Sequence, residues 1–144
     1  MNRVIKFRGK SVVDKKWVYG SFVLCTHNAI ADICDIVVDN DDITQTPVLS
    51  YTVGQFVGLH DENGKEIYEG DIVEIFNPCA ANSLHPIAED VHNCGVVKWE
   101  NDCSRFIVDC VNDARGRNFD LLPRFEFTVI GNIHDNPKLI KKKF

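Results

Sequence analysis

His92-x-Cys94, with Cys79, His85, Cys103 and Cys110 close by in the chain, gathers the residue types that bind zinc, thiolate sulfur and imidazole nitrogen around a tetrahedral ion. Such sites are usually built from short paired spacings on turns, whereas here a single pair is short and no Cys-x-x-Cys occurs. Cys79, His85, His92 and Cys94 are the metal candidates, set against the alternative of free thiols and imidazoles; the expectation is that no metal or cofactor is held. Cys25-x-His27 with Cys34 is a sparser grouping of the same kind. Asp39-Asn40-Asp41-Asp42 concentrates carboxylates as a calcium loop does, but lacks the glycine and closing glutamate of an EF-hand, so a solvated turn is expected.

Asp61, Glu62, Glu66 and Glu69 have the types needed for paired-carboxylate acid–base work, although acids on turns and strand edges are ordinarily solvated. The sequence contains no Gly-x-Ser-x-Gly, phosphate loop or dinucleotide fingerprint. No catalytic residue is assigned, and the chain is expected not to be an enzyme. Trp17, Tyr19 and Trp99 can stack on bases; core packing accounts for them as well.

Charge is distributed unevenly. Lys plus Arg number 16 and Asp plus Glu 21, and almost every segment balances except residues 53–76, where one Lys faces six acids. The net charge of −5 therefore lies in that stretch, which repels phosphate and makes a poor footprint for nucleic acid. No apolar run approaches the ~18 residues of a membrane span, and the start MNRVIKFRGK lacks the apolar core of a signal peptide. The expected setting is the cytoplasm, with no membrane contact, and the six cysteines are expected as reduced, free thiols that act as small buried apolar residues.

The elements that position these residues read mostly as strands. Ile5 and Phe7 alternate with Lys6 and Arg8, and after a reversal at Asp14-Lys15-Lys16 the run from Trp17 to Leu24 completes a first hairpin. Arg3, Lys6, Arg8 and Lys10 form either a solvated strand face or a phosphate-binding strip. Residues 29–38 read as another strand, and 44–50 as a connector held extended by Pro47. In the central stretch Asp61-Glu62-Asn63-Gly64 and Glu69-Gly70-Asp71 are two tight turns joining three strands; Asn63, Gly64, Gly70 and Asp71 are its structural residues, the glycines supplying positive φ. Residues 77–94 form a long interval in which Leu84, Ile87 and Val91 line one side of a short helix limited by Pro86. From Gly95 the period of two returns through Val97, Trp99, Phe106, Val108, Phe125, Phe127 and Val129. Asn136-Pro137 reads as the N-cap and first position of a final helix.

The segment GLHDENGKEIYEGDIV, at residues 58–73, resembles the hallmark of the YopX family of phage and prophage proteins. The resemblance extends to FRGK at 7–10 and WVYG at 17–20, and to VIGNIHDNPKLI at 129–140, so it frames most of the chain while leaving 26–50 and 77–94 without a family signature. It implies a phage origin and an architecture, and supplies no catalytic residues.

The expected fold is mainly β: an N-terminal β-hairpin subdomain over 1–60 and a small SH3-like barrel over 61–144, with the long 77–94 loop and a short C-terminal helix, or else one continuous domain. The expected function is that of a phage accessory protein acting by contact with a phage or host protein and by self-assembly as a homo-oligomer. Trp17, Tyr19 and Phe22 are the candidate interface, because large aromatics on a charge-balanced segment resemble interface cores. The alternative is a small-barrel module that binds nucleic acid.

Overall fold

A computed structural model describes residues 2–25, 32–39, 42–111, 113 and 115–140, and divides the chain into two compact units, Met1–Gly58 and Leu59–Phe144. The architecture is mainly β, in two antiparallel sheets.

In the first unit β1 (Phe7–Lys10), β2 (Trp17–Cys25), β3 (Asp32–Asp39) and β4 (Asp42–Val48) follow as successive antiparallel neighbours, and β5 (Gly54–His60) pairs with the other side of β1, giving the order β4-β3-β2-β1-β5. The β1–β2 reversal is closed by Ser11 N–H donating to the Lys16 carbonyl and by the Asp14 carboxylate accepting from Lys16 N–H, with Lys15 left-handed at φ 59°. Residues 42–48 form a strand rather than the connector expected over 44–50. Pro47 is tolerated there because β4 is the outermost strand, where a missing N–H removes no bond that the sheet needs. Past β4 the chain turns back onto β1: Val48 bridges Ser11, and Leu49 N–H donates to the Lys10 carbonyl. Thr52 fixes this return, its hydroxyl accepting from Lys10 N–H and donating to the Leu49 carbonyl.

The second unit begins with the end of β5, the turn over residues 61–65 and β6 (Glu66–Tyr68), then builds a five-stranded sheet from β7 (Asp71–Phe76), β8 (His92–Glu100), β9 (Arg105–Cys110), β10 (Asn118–Asp120) and β11 (Glu126–Asn132) in the order β10-β9-β8-β7-β11. Its core is Ile67, Tyr68, Ile72, Val73, Ile75, Val97, Ile107, Val108 and Phe127, all buried. Burial of each such side chain contributes about 1.5–3 kcal/mol. The sheet does not close into the expected SH3-like barrel: among the described residues β10 and β11 are its two edges and do not pair.

The interval 77–94 is shorter than its sequence suggests, because β8 starts at His92 rather than Gly95. It holds two single-turn helices, α1 (Pro78–Ala81) and α2 (Ala88–Val91). Asn77 caps α1 through its side-chain oxygen, which accepts from Cys79 and Ala80 N–H, and Pro78 occupies the first turn. The expected apolar helix side does not form: Leu84 is 95% exposed and lies outside both turns, and Ile87 is exposed as well. The final helix is a 3-10 turn, Pro137–Ile140. Asn136 does not cap it with its side chain, whose oxygen accepts instead from Asn132 N–H at 3.2 Å. Lys141 to Lys143 lie outside the described residues.

Candidate functional site

Three strands of the second sheet present an outward face that reads as two cross-strand rows. Phe76 of β7 stands opposite His92 of β8 and Glu126 of β11; Glu74 stands opposite Cys94 and Thr128. Because residues two apart share a face, these six side chains line one concave region of about 630 Å³, with Glu62 from the central turn and Ala88 from α2 at its border. The Phe76 and His92 rings pack at 5.1 Å. The face is acidic. Glu62 and Glu126 lie close enough that a hydrogen bond between their carboxyls, then burial and the charges of Glu126 and Asp61, raise the Glu62 pKa. Burial, and then the charge of Glu74, also raise that of Cys94. The Cys94 thiol therefore stays protonated at neutral pH in the metal-free chain, which disfavours it as a nucleophile.

Of the metal candidates, His92 and Cys94 share this face, whereas Cys79 and His85 are exposed elsewhere on 77–94 and do not line it. Cys103 is exposed beyond β8 and Cys110 is buried. Among the described residues no three His, Cys, Asp or Glu side chains come together as a metal set. The Cys25, His27 and Cys34 side chains lie outside the described residues, as do residues 40–41 of the carboxylate turn.

The four candidate acids, Asp61, Glu62, Glu66 and Glu69, have separate places in the central stretch. Asp61 is buried and organises the turn: its Oδ1 accepts from Asn63 N–H and Lys65 N–H, both at 2.9 Å, and its Oδ2 from Val129 N–H at 3.0 Å. Burial works to raise its pKa, but those backbone donors and the Lys65 charge outweigh it and hold the carboxyl below the usual range. Glu66 accepts from the Tyr68 hydroxyl at 2.6 Å. Glu62 is paired with Glu126, a residue that sequence reasoning did not single out; only the fold brings it near. Glu69 belongs to the second turn. There Gly70 N–H donates to the Val97 carbonyl, the Gly70 carbonyl accepts from Ile133 N–H, and the Asp71 carboxylate accepts from Tyr68 N–H at 2.8 Å. Gly64 and Gly70 have φ of +79° and +85°.

The consequence for the sheet is that β11 does not offer an open edge along its middle. Glu62 N–H donates to the Phe127 carbonyl and Val129 N–H to Asp61, so the central turn covers the outward backbone groups of β11 on the side away from β7.

In the first unit, Trp17 and Tyr19 do not form one patch with Phe22. Lys10 pairs with Trp17 and Arg8 with Tyr19, placing these four on one face, while Phe22 lies on the other and packs on Phe7 at 5.3 Å. Arg8 is 5% exposed with its guanidinium 4.5 Å from the Trp17 ring centre, and Lys10 reaches the same ring at 5.5 Å. The basic row of β1 is thus not a simple solvated face. Tyr19 and Phe22 are exposed, Trp17 half-buried.

A family model described as YopX protein matches residues 6–141. The fold is similar to the crystal structure of protein EF1440 from Enterococcus faecalis, with a TM-score of 0.53 and 22% identity over 97% of this chain and 100% of that one. No curated protein matches the sequence.

Proposed function

The chain belongs to the YopX protein family, and on that premise we propose that it is a phage or prophage accessory protein that works by protein contact and assembles with copies of itself, rather than by catalysing a reaction. The observation that carries this reading is the unequal treatment of the sheet edges. The β11 edge is covered by Asp61 and Glu62, whereas β4 is the last strand of its sheet, its outer side met by Lys10–Val12 at Pro47–Leu49 and by no other strand among the described residues. An edge left with backbone donors and acceptors is a template for strand addition. The acidic face around Glu62, Glu74 and Glu126 stays outside a contact between copies, because like charges at a desolvated interface are costly.

The setting is the host cytoplasm, and further partners are phage or host proteins. Nucleic acid is the second reading. Arg8, Lys10 and Trp17 support it as a cation–aromatic cluster, but the burial of Arg8 and the acidity of the second unit weigh against it. Light scattering coupled to size exclusion at two salt concentrations decides between them. The expected result is an oligomer insensitive to salt and to Glu62→Lys; a monomer near 16.3 kDa throughout the micromolar range overturns it. A salt-dependent shift with single- or double-stranded nucleic acid supports the second reading.

A further inference from the structure

Antiparallel ladders alternate between pairs that exchange both backbone hydrogen bonds and pairs that exchange none. Pro47 has no N–H, so its pairing with Cys34 is of the second kind, and by alternation so are Ile36 with Gln45 and Val38 with Ile43. The N–H and C=O groups of Ile43 and Gln45 therefore point away from β3. Two observed bonds fix the same parity independently: the Pro47 carbonyl accepts from Val12 N–H at 3.0 Å, and Leu49 N–H donates to the Lys10 carbonyl at 2.8 Å, both on the side away from β3. The returning end of β1 thus occupies the outer edge at Pro47 and Leu49. Among the described residues, Ile43 and Gln45 are left as the outward-facing pair of a β-branched strand, Ile43-Thr44-Gln45-Thr46.

We propose that this short edge pairs antiparallel with the same edge of a second copy of the chain, about a two-fold axis through Thr44. The inference rests on the self-assembly reading and specifies its contact. A second copy suits the edge because the register centred on Thr44 sets each Ile43 opposite Gln45 of the other chain. Every outward N–H and C=O of both residues then finds a partner. The same register sets Asp42 opposite Thr46, so no acid faces an acid. A register shifted by one residue would set outward groups against inward ones. The occupied positions at Pro47 and Leu49 end the pairing, which yields a closed dimer rather than a growing sheet.

The test follows backbone hydrogen exchange of Ile43 and Gln45 in the wild-type chain over a dilution series, alongside light scattering of Gln45→Pro. The Gln45 N–H lies outside the β3–β4 ladder, so proline there removes an outward donor as Pro47 already does at its own position. The expected result is exchange of both amides slowed by at least about tenfold at high protein concentration, and a folded, monomeric Gln45→Pro chain. If the wild type assembles but the two amides exchange at one rate throughout, the edge pairing is wrong while self-assembly stands. If the wild type is monomeric at every concentration, the self-assembly reading fails and this inference with it. Should Gln45→Pro not fold, the wild-type amide rates alone decide.

Discussion

The Asp61 carboxylate accepts a hydrogen bond from the backbone N–H of Val129 at 3.0 Å, joining a turn and a strand that are far apart in the chain. The other oxygen of the same carboxylate holds Asn63 and Lys65, so one side chain both shapes the turn and covers the β11 edge. Asp61→Asn separates these tasks. Its amide oxygen still accepts from the turn, but its NH2 group then faces the Val129 N–H, donor against donor. Asp61→Asn is expected to destabilise by about 1.5–3 kcal/mol, the range for a hydrogen bond to a charged group. Chemical denaturation measures the cost, and faster exchange of the Val129 amide locates it; an unchanged midpoint and unchanged exchange would contradict the clamp.

Gly64→Val and Gly70→Val are each expected to cost on the order of 1–3 kcal/mol, through backbone strain at positive φ rather than through collision. A Cβ at Gly64 meets nothing within 4 Å, and one at Gly70 meets only ordinary contacts with Ile133 and His134. Gly95→Ala is different in kind. Its Cβ would come within 2.5 Å of the Asp109 carbonyl oxygen, so β9 must move away from β8. Thermal melting should rank Gly95→Ala as at least as damaging as either valine, although it adds less bulk.

The central turn should hold β11 best over an intermediate pH window. Asp61 has a lowered pKa, so its contribution is complete above the ordinary carboxylate pKa and is lost as pH falls through the folded value. Glu62 has a raised pKa, first because of its hydrogen bond with Glu126; the stability gained from its proton is complete below the ordinary value and is lost as pH rises through the folded one. Exchange of the Val129 amide across pH 2–7 is the readout, and Glu126→Gln should abolish the loosening on the alkaline side while leaving that on the acid side. A profile unchanged by Glu126→Gln would show that the pair does not act on the turn.

Thiol chemistry should follow exposure. Burial first, then the charges of Asp113 and Asp109, push the Cys110 thiol up to about 12. Cys79 and Cys103 are exposed. A thiol reagent at neutral pH is expected to label Cys79 and Cys103 well before Cys94, and Cys110 last, read by peptide mass spectrometry. Elemental analysis after chelator-free purification is expected to show no stoichiometric metal. About one zinc per chain would return His92 and Cys94 to the head of the candidates.

The sequence alone was enough where local chemistry dictates the outcome. Period-two alternation specified the strands at Phe7 and Phe106, and apolar runs after a turn specified those from Trp17 and Asp71. Turn chemistry placed reversals at Asp14-Lys15-Lys16 and at Asn63-Gly64, where the backbone has few ways to turn back; the segment at 58–73 carried the family resemblance. Tertiary structure decided whatever depends on partners distant in the chain. Asp61 looks like an ordinary turn acid until Val129 is brought to it, and Glu126 has no visible role until β11 lies beside Glu62. Gly95 is the exception that could have been read, since a glycine inside a strand pattern often marks a close backbone approach. Residues 44–50 read as a connector held extended by Pro47, whereas 42–48 form a strand. Only the sheet order makes this an edge strand, where the N–H that Pro47 lacks is not needed, and so reveals which backbone groups of Ile43 and Gln45 remain outward.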